Sequence, residues 1–166
     1  MARMRPCVKL AAKDLQLLVR VEAALVPMQP AIVKGKPTLV YTDVGEAACV
    51  TCGAVLPYAR PAYQGNQLQG GHCLAGCQNN PEAYLDERNV HPQCSQCNKY
   101  KSGAGMEYRQ FINTFYPIGT LDDLTRLKNG VLEEGEALTP TDIIDRRVDW
   151  KARTERAKHK LENYHG

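Results

Sequence analysis

Apolar positions recur at helical spacing near both ends of this chain and lose regular spacing in its middle. Ala11 to Leu25 reads as a short helix, ended by Pro27 and Pro30. Thr38 to Thr42 is rich in β-formers and predicts a strand, entered through the turn Gly35-Lys36-Pro37. Cys49 to Asn89 is rich in Gly, Pro and Asn and predicts irregular backbone. Beyond Asn98 the pattern turns helical again, with Met106–Tyr116 and Leu121–Lys128 separated by Pro117-Ile118-Gly119. Thr139-Pro140-Thr141-Asp142 starts a long final helix, with a capping hydroxyl, a proline in the first turn and an early acid. Ile143, Trp150, Ala157, Leu161 and Tyr164 share one face of that helix, a stripe for the core or for a second subunit.

Charge sharpens this outline. The net charge of +3 is only mildly basic, but residues 146–160 hold seven Lys or Arg against Asp149 and Glu155. Arg3, Arg5, Lys9 and Lys13 form a second basic cluster. Each cluster suits either a polyanion such as DNA or an ordinary solvated helix face. Arg146, Arg153, Arg156 and Lys160 fall off the apolar stripe, free to meet phosphates. No stretch approaches the roughly twenty apolar residues of a membrane span, and no cleavable leader is visible, so a cytoplasmic protein is expected. Thiols stay reduced there, and clustered cysteines then signal metal more often than disulfides.

Cys49-Val-Thr-Cys52 and Cys94-Ser-Gln-Cys97 are two C-x₂-C pairs with 41 residues between them. Each pair can form a knuckle presenting two thiolates, and together they make the S₄ set that Zn²⁺ prefers. Four thiolates leave no open position for water, so the expected role is structural. Cys7, Cys73 and Cys77 read as ordinary thiols, with Cys73 and Cys77 the alternative partners for a zinc site.

Between and after the knuckles stand Gly71-His72, then Asn89-Val-His91-Pro-Gln-Cys94, then Asn98 directly after Cys97. The order predicts a β-hairpin clamped to a helix, with His72 ending the first strand, Asn89 in the second and Asn98 starting the helix. CVTCG, GGH, the run LDERNVHPQCSQCNKYKSG from Leu85 to Gly103, and Glu107-Tyr108-Arg109 resemble the lambda NinG (Rap) family of phage recombination endonucleases, within the HNH, or ββα-metal, nucleases. A more distant likeness is to phage endonuclease VII. The resemblance implies an α+β fold: a zinc-stapled ββα-metal core over residues 45–116, preceded by a helix and strand segment (1–44) and followed by a helical region (117–166). It implies cleavage of branched DNA, Holliday junctions and displacement loops, by a homodimer in the bacterial cytoplasm.

Carried over by position, His72 matches the general base, Asn98 a ligand of Mg²⁺ or Mn²⁺, and Asn89 the residue bracing the His-bearing loop. A neutral imidazole can take a proton from water near neutral pH, and an Asn carbonyl is a hard oxygen donor. Many HNH enzymes place an acid immediately before the base. Here that position is Gly71, which leaves the ion to Asn98 alone or to Asn98 with His91 or Asp86. Lys99, Lys101 and Arg109 join the cations of the final helix as candidate DNA contacts. The alternatives are another nicking or restriction-type HNH nuclease, and a non-catalytic zinc module that only binds DNA.

Overall fold

The computed structural model describes residues 6–164, so Arg3 and Arg5 lie outside the described residues. Helix α1 (Pro6–Ala23) opens with proline at its first position, where a missing N–H costs nothing. It buries Val8, Ala11, Leu15, Leu18 and Val21 along one face. At the other end, α5 (Pro140–Tyr164) is fixed by a reciprocal cap: Asp142 N–H donates to Thr139 Oγ1 (3.2 Å), and Thr139 N–H donates to Asp142 Oδ2 (2.8 Å). Its buried residues are Ile143, Trp150, Thr154, Ala157 and Leu161, packed on α1. The stripe ends at Leu161, since Tyr164 in the last turn is 68% exposed. Trp150 is 2% exposed, and its indole N–H donates to Glu87 Oε1 (2.8 Å). Truncating such a side chain to Ala typically costs about 3–5 kcal/mol.

Between these helices lie three two-stranded antiparallel hairpins. Strands β1 (Met28–Val33) and β2 (Lys36–Tyr41) pair through Lys34 and Gly35, both at positive φ (50° and 75°), the geometry of a tight two-residue hairpin turn. Strands β3 (Glu46–Ala48) and β4 (Val55–Pro57) carry the first knuckle at their tip. Strands β5 (Leu68–His72) and β6 (Val90–Cys94) pair with His72 opposite Val90 and Gly71 opposite His91. Their connection holds a short helix α2 (Pro81–Tyr84) and a 3₁₀ turn at Glu87–Asn89. One face of the hairpin takes α1, and Gly70 makes this possible, since a Cβ there would stand 2.6 Å from Gln16 Cα. Beyond β6, α3 (Gly105–Phe115) and α4 (Thr120–Lys128) pack Tyr108, Phe111, Ile112 and Leu124 around Ile32, Val50 and Leu74.

The architecture is thus mixed helix and small sheet. Four differences from the sequence reading stand out. Helix α1 starts at Pro6 and ends at Ala23, and Pro30 sits inside β1, an edge strand that tolerates a missing donor. The second strand spans Lys36–Tyr41, earlier than Thr38–Thr42. Asn89 lies in the 3₁₀ turn before β6, outside the strand. Asn98 does not start the long helix: it sits in one wide turn, Gln96–Tyr100, and α3 begins only after Ser102, Gly103 and Ala104, all at positive φ.

Candidate metal centre and its hairpin

The first knuckle closes when the Gly53 N–H reaches back to the Cys49 carbonyl (2.8 Å) with Gly53 at φ +75°, a conformation other residues adopt only with strain. The second follows the end of β6, and the Gly103 N–H caps the Cys97 carbonyl (2.9 Å). The strand pairing and the Val50 N–H···O=C Pro92 bond (3.0 Å) bring the two knuckles together. The sulfurs of Cys49, Cys52, Cys94 and Cys97 all lie within 4.8 Å of one another, and Cys52 Sγ is 3.8 Å from Cys94 Sγ. A tetrahedron with Zn–S bonds of about 2.3 Å has S···S edges of about 3.8 Å, so the cluster fits zinc in spacing as well as donor type. Hydrogen bonds from the Cys49 and Cys52 thiols hold Cys94 below the usual thiol range, while those two thiols are themselves pushed up. Among the described residues this is the one cluster of three or more His, Cys, Asp or Glu placed to hold a metal. Cys73 and Cys77 are buried elsewhere, in two other apolar clusters, and burial pushes the Cys73 thiol up to about 12.

His72 closes β5 at the far end of the hairpin. Its ring stacks on Tyr84, with centroids 4.3 Å apart and planes 6° from parallel, and Nε2 lies 3.0 Å from the Tyr84 carbonyl oxygen. A carbonyl only accepts, so Nε2 carries the proton and Nδ1 keeps its lone pair. Burial lowers the pKa of this imidazole, the Tyr84 contact opposing only in part, so the ring is neutral near pH 7. Asn89 ties down the chain that follows His72. It accepts from Leu74 N–H (3.0 Å) and donates to Ala83 O (2.8 Å), while its carbonyl takes the Cys73 N–H (2.9 Å).

His91 is different. Tyr108 Oη donates its single proton to Gly71 O (2.7 Å), so it accepts from His91 Nδ1–H (3.0 Å); Nε2 then accepts from Tyr116 Oη (2.6 Å). Both ring nitrogens are committed, and burial pushes the pKa down to about 3. His91 therefore belongs to the hydrogen-bonded core and has no free nitrogen for a metal or a proton transfer, which corrects its candidacy for either. Asp86 is occupied too, paired with Arg88 (2.6 Å).

Asn98 is not brought to His72. Its Nδ2 donates to Gln69 Oε1 (2.9 Å), and Gln69 lies three residues from His72, on the opposite face of an alternating strand. The Gly71 position is also explained: a Cβ there would collide with Gln93 Oε1. Gln93 is fully buried and donates to Thr51 Oγ1 and Gly103 O, and its Oε1 has no hydrogen-bond partner among the described residues. No carboxylate can stand where many HNH enzymes have one unless Gln93 moves.

The candidate DNA contacts divide sharply. Lys99, Lys101 and Arg109 are exposed. Between Glu46 and Glu82, and again between Glu87 and Glu107, the chain carries no Asp or Glu, so no acid of these segments offsets the two lysines. On α5 the basic residues are largely engaged. Arg153 is paired with Glu22 and Glu87 (2.8 Å each), which corrects the expectation that it is free for phosphate, and Arg146 is tethered by one bond to Leu85 O (3.1 Å). Arg156 and Lys160 remain exposed. Tyr84, Tyr108 and Gln93 shape the hairpin without having been singled out in sequence; a backbone carbonyl such as that of Tyr84 leaves no side-chain signal to find.

No curated protein and no solved structure matches the chain. The family model described as bacteriophage lambda NinG protein matches residues 38–159, which takes in both knuckles, the β5–β6 hairpin, α3, α4 and most of α5. Over that span, and with its four-cysteine centre in place, the chain belongs to the lambda NinG family of phage proteins.

Proposed function

We propose that the protein is a metal-dependent DNA endonuclease of the HNH type, cutting branched recombination intermediates such as Holliday junctions and displacement loops. The observation that carries this reading is His72: a neutral imidazole, tautomer fixed by the Tyr84 carbonyl, with Nδ1 left as an acceptor at the end of a zinc-stapled hairpin. Such a group takes the proton of an attacking water. The zinc holds the hairpin and does no chemistry, since its four thiolates fill the shell. For the catalytic Mg²⁺ or Mn²⁺ the fit is narrower. Asn98 supplies one hard oxygen, no carboxylate stands beside it, and phosphate oxygens of the bound DNA would complete the shell. That ion, when bound, neutralises charge developing on the phosphorane and the departing oxygen. Two copies acting as a homodimer in the host cytoplasm would supply the paired nicks that junction resolution requires.

A second reading has one observation in its favour. Asn98 is held by Gln69 away from His72, as suits a zinc module that binds DNA without cutting it. Incubation with synthetic four-way junctions, forks and linear duplex, with Mg²⁺ or EDTA, separates the possibilities. Mg²⁺-dependent cutting of junctions supports the proposal, cutting of linear duplex alone points to a nicking or restriction activity, and no cutting of any substrate leaves the binding module.

A further inference from the structure

Beside Asn98, a polar cleft of about 340 Å³ opens between α1 and β5, lined by Gln16, Arg20, Gln67, Gln69, Gly70 and Asn98. Its one charged residue is Arg20. The guanidinium donates to two backbone carbonyls, Nε to Gln16 O (3.1 Å) and Nη1 to Leu68 O (3.2 Å), and meets no carboxylate among the described residues. Arg126, Arg147 and Arg153 each meet a carboxylate, whereas Arg20 is partly buried without one, and desolvation lowers its pKa. A guanidinium taken partly out of water with no counter-ion is costly unless an anion arrives to meet it. The carbonyl bonds fix the plane of the fork and leave Nη2 uncommitted, in a cleft that the carboxamides of Gln67, Gln69 and Asn98 also line.

We propose that Arg20 and this cleft bind a phosphate of the DNA backbone, so that α1 supplies one wall of the DNA site. The inference rests on the reading of DNA as the ligand. It goes beyond the family, because α1 lies outside the matched span of residues 38–159. With Nε and Nη1 held by carbonyls, Nη2 keeps its N–H donors for a phosphate oxygen, in a direction fixed by the planar fork, where an ammonium offers only a point charge. The carboxamides of Gln67, Gln69 and Asn98 line the cleft without adding negative charge. Gly70 has a second role here, since the close approach of α1 that it permits is what carries Arg20 over the end of β5.

The test is binding of a fluorescein-labelled four-way junction by anisotropy, with Ca²⁺ replacing Mg²⁺ so that no strand is cut, over a series of KCl concentrations. Arg20→Gln is expected to weaken binding about tenfold and to reduce the slope of log K against log salt by about one, the signature of one lost phosphate contact. Arg20→Lys keeps the slope and recovers part of the affinity. Arg147→Gln, which removes a cation already paired with Asp14 (2.7 Å), should leave the slope unchanged. Affinity and slope in Arg20→Gln equal to wild type would overturn the inference. Should Arg20→Gln fail to fold, the wild-type protein decides: the Arg20 Nε–H resonance, assigned by its loss in Arg20→Lys, must shift on adding the junction, and an unmoved signal overturns the inference. Failure of the nuclease reading is separate, because it would appear as wild-type protein that binds junctions with this Arg20 dependence and never cuts them in Mg²⁺.

Discussion

The turn after the second knuckle and helix α5 both look like DNA-binding cations in sequence. The structure sets the exposed lysines of the first against a helix whose Arg147, Arg153 and Lys158 are ion-paired while Arg156 and Lys160 stay exposed. Lys99 and Lys101 stand exposed beside the zinc centre, in a stretch free of carboxylates. On α5, Arg147 meets Asp14, Arg153 meets Glu22 and Glu87, and Lys158 meets Glu155. The acids that neutralise α5 come mainly from α1 and from the turn before β6, far away in sequence. A run of basic residues therefore says little about a polyanion until its neighbours in space are known. On this account α5 is a strut that clamps α1 to the hairpin, and the zinc hairpin with α1 is the DNA face.

The largest expected effect breaks the hairpin and spares the strut. Cys52→Ser or Cys97→Ser removes a zinc ligand, and structural zinc contributes about 10–16 kcal/mol of apparent folding free energy in small zinc domains. The β5–β6 region should lose its fold, read as lost zinc by elemental analysis and collapsed amide dispersion by NMR. A folded variant with zinc retained would show that the four sulfurs are not the metal centre.

Acid should act on the same side of the molecule. His91 has its pKa depressed to about 3 from an ordinary 6.5, so the unfolded chain binds the extra proton in that window. The contribution is complete above about pH 6.5 and is lost as pH falls toward 3, at a slope of up to about 1.4 kcal/mol per pH unit. Urea unfolding across that range should show a flatter pH dependence in His91→Gln than in wild type. Parallel curves would mean that the buried imidazole is not what acid attacks.

Next in size is the contrast between the two sets of cations. Lys99→Gln with Lys101→Gln should weaken junction binding about tenfold and lower the salt slope by nearly two, with little change in stability. Arg153→Gln, the smallest effect, should leave binding alone and cost about 1 kcal/mol in urea unfolding, since its ion pairs are partly exposed. Reversed outcomes for these variants would return the DNA face to α5.

Much of this was legible in sequence, and the reasons differ by residue. The knuckles were, because C-x₂-C pairs are local and their chemistry allows few partners. The helix after Thr139 was, because cap and stripe are also local. Strand β1 was hidden by Pro30, which reads as a breaker although an edge strand accepts it. Sequence left His91 a candidate beside His72; only the positions of Tyr108, Tyr116 and Tyr84 separate a saturated ring from one with a free nitrogen. Arg20 was indistinguishable from any helix cation, because the absence of an acid nearby is a fact of packing.

The most direct test of the account is cleavage of a four-way junction by His72→Ala in Mg²⁺, beside its binding of the same junction in Ca²⁺. Removing the base should lower the cleavage rate on the order of 10²–10⁴-fold, with binding and zinc content unchanged. The acid limb of the wild-type pH–rate profile should fall below pH 6.5, in keeping with the lowered pKa of His72. Cleavage by His72→Ala at the wild-type rate would contradict the account at its centre.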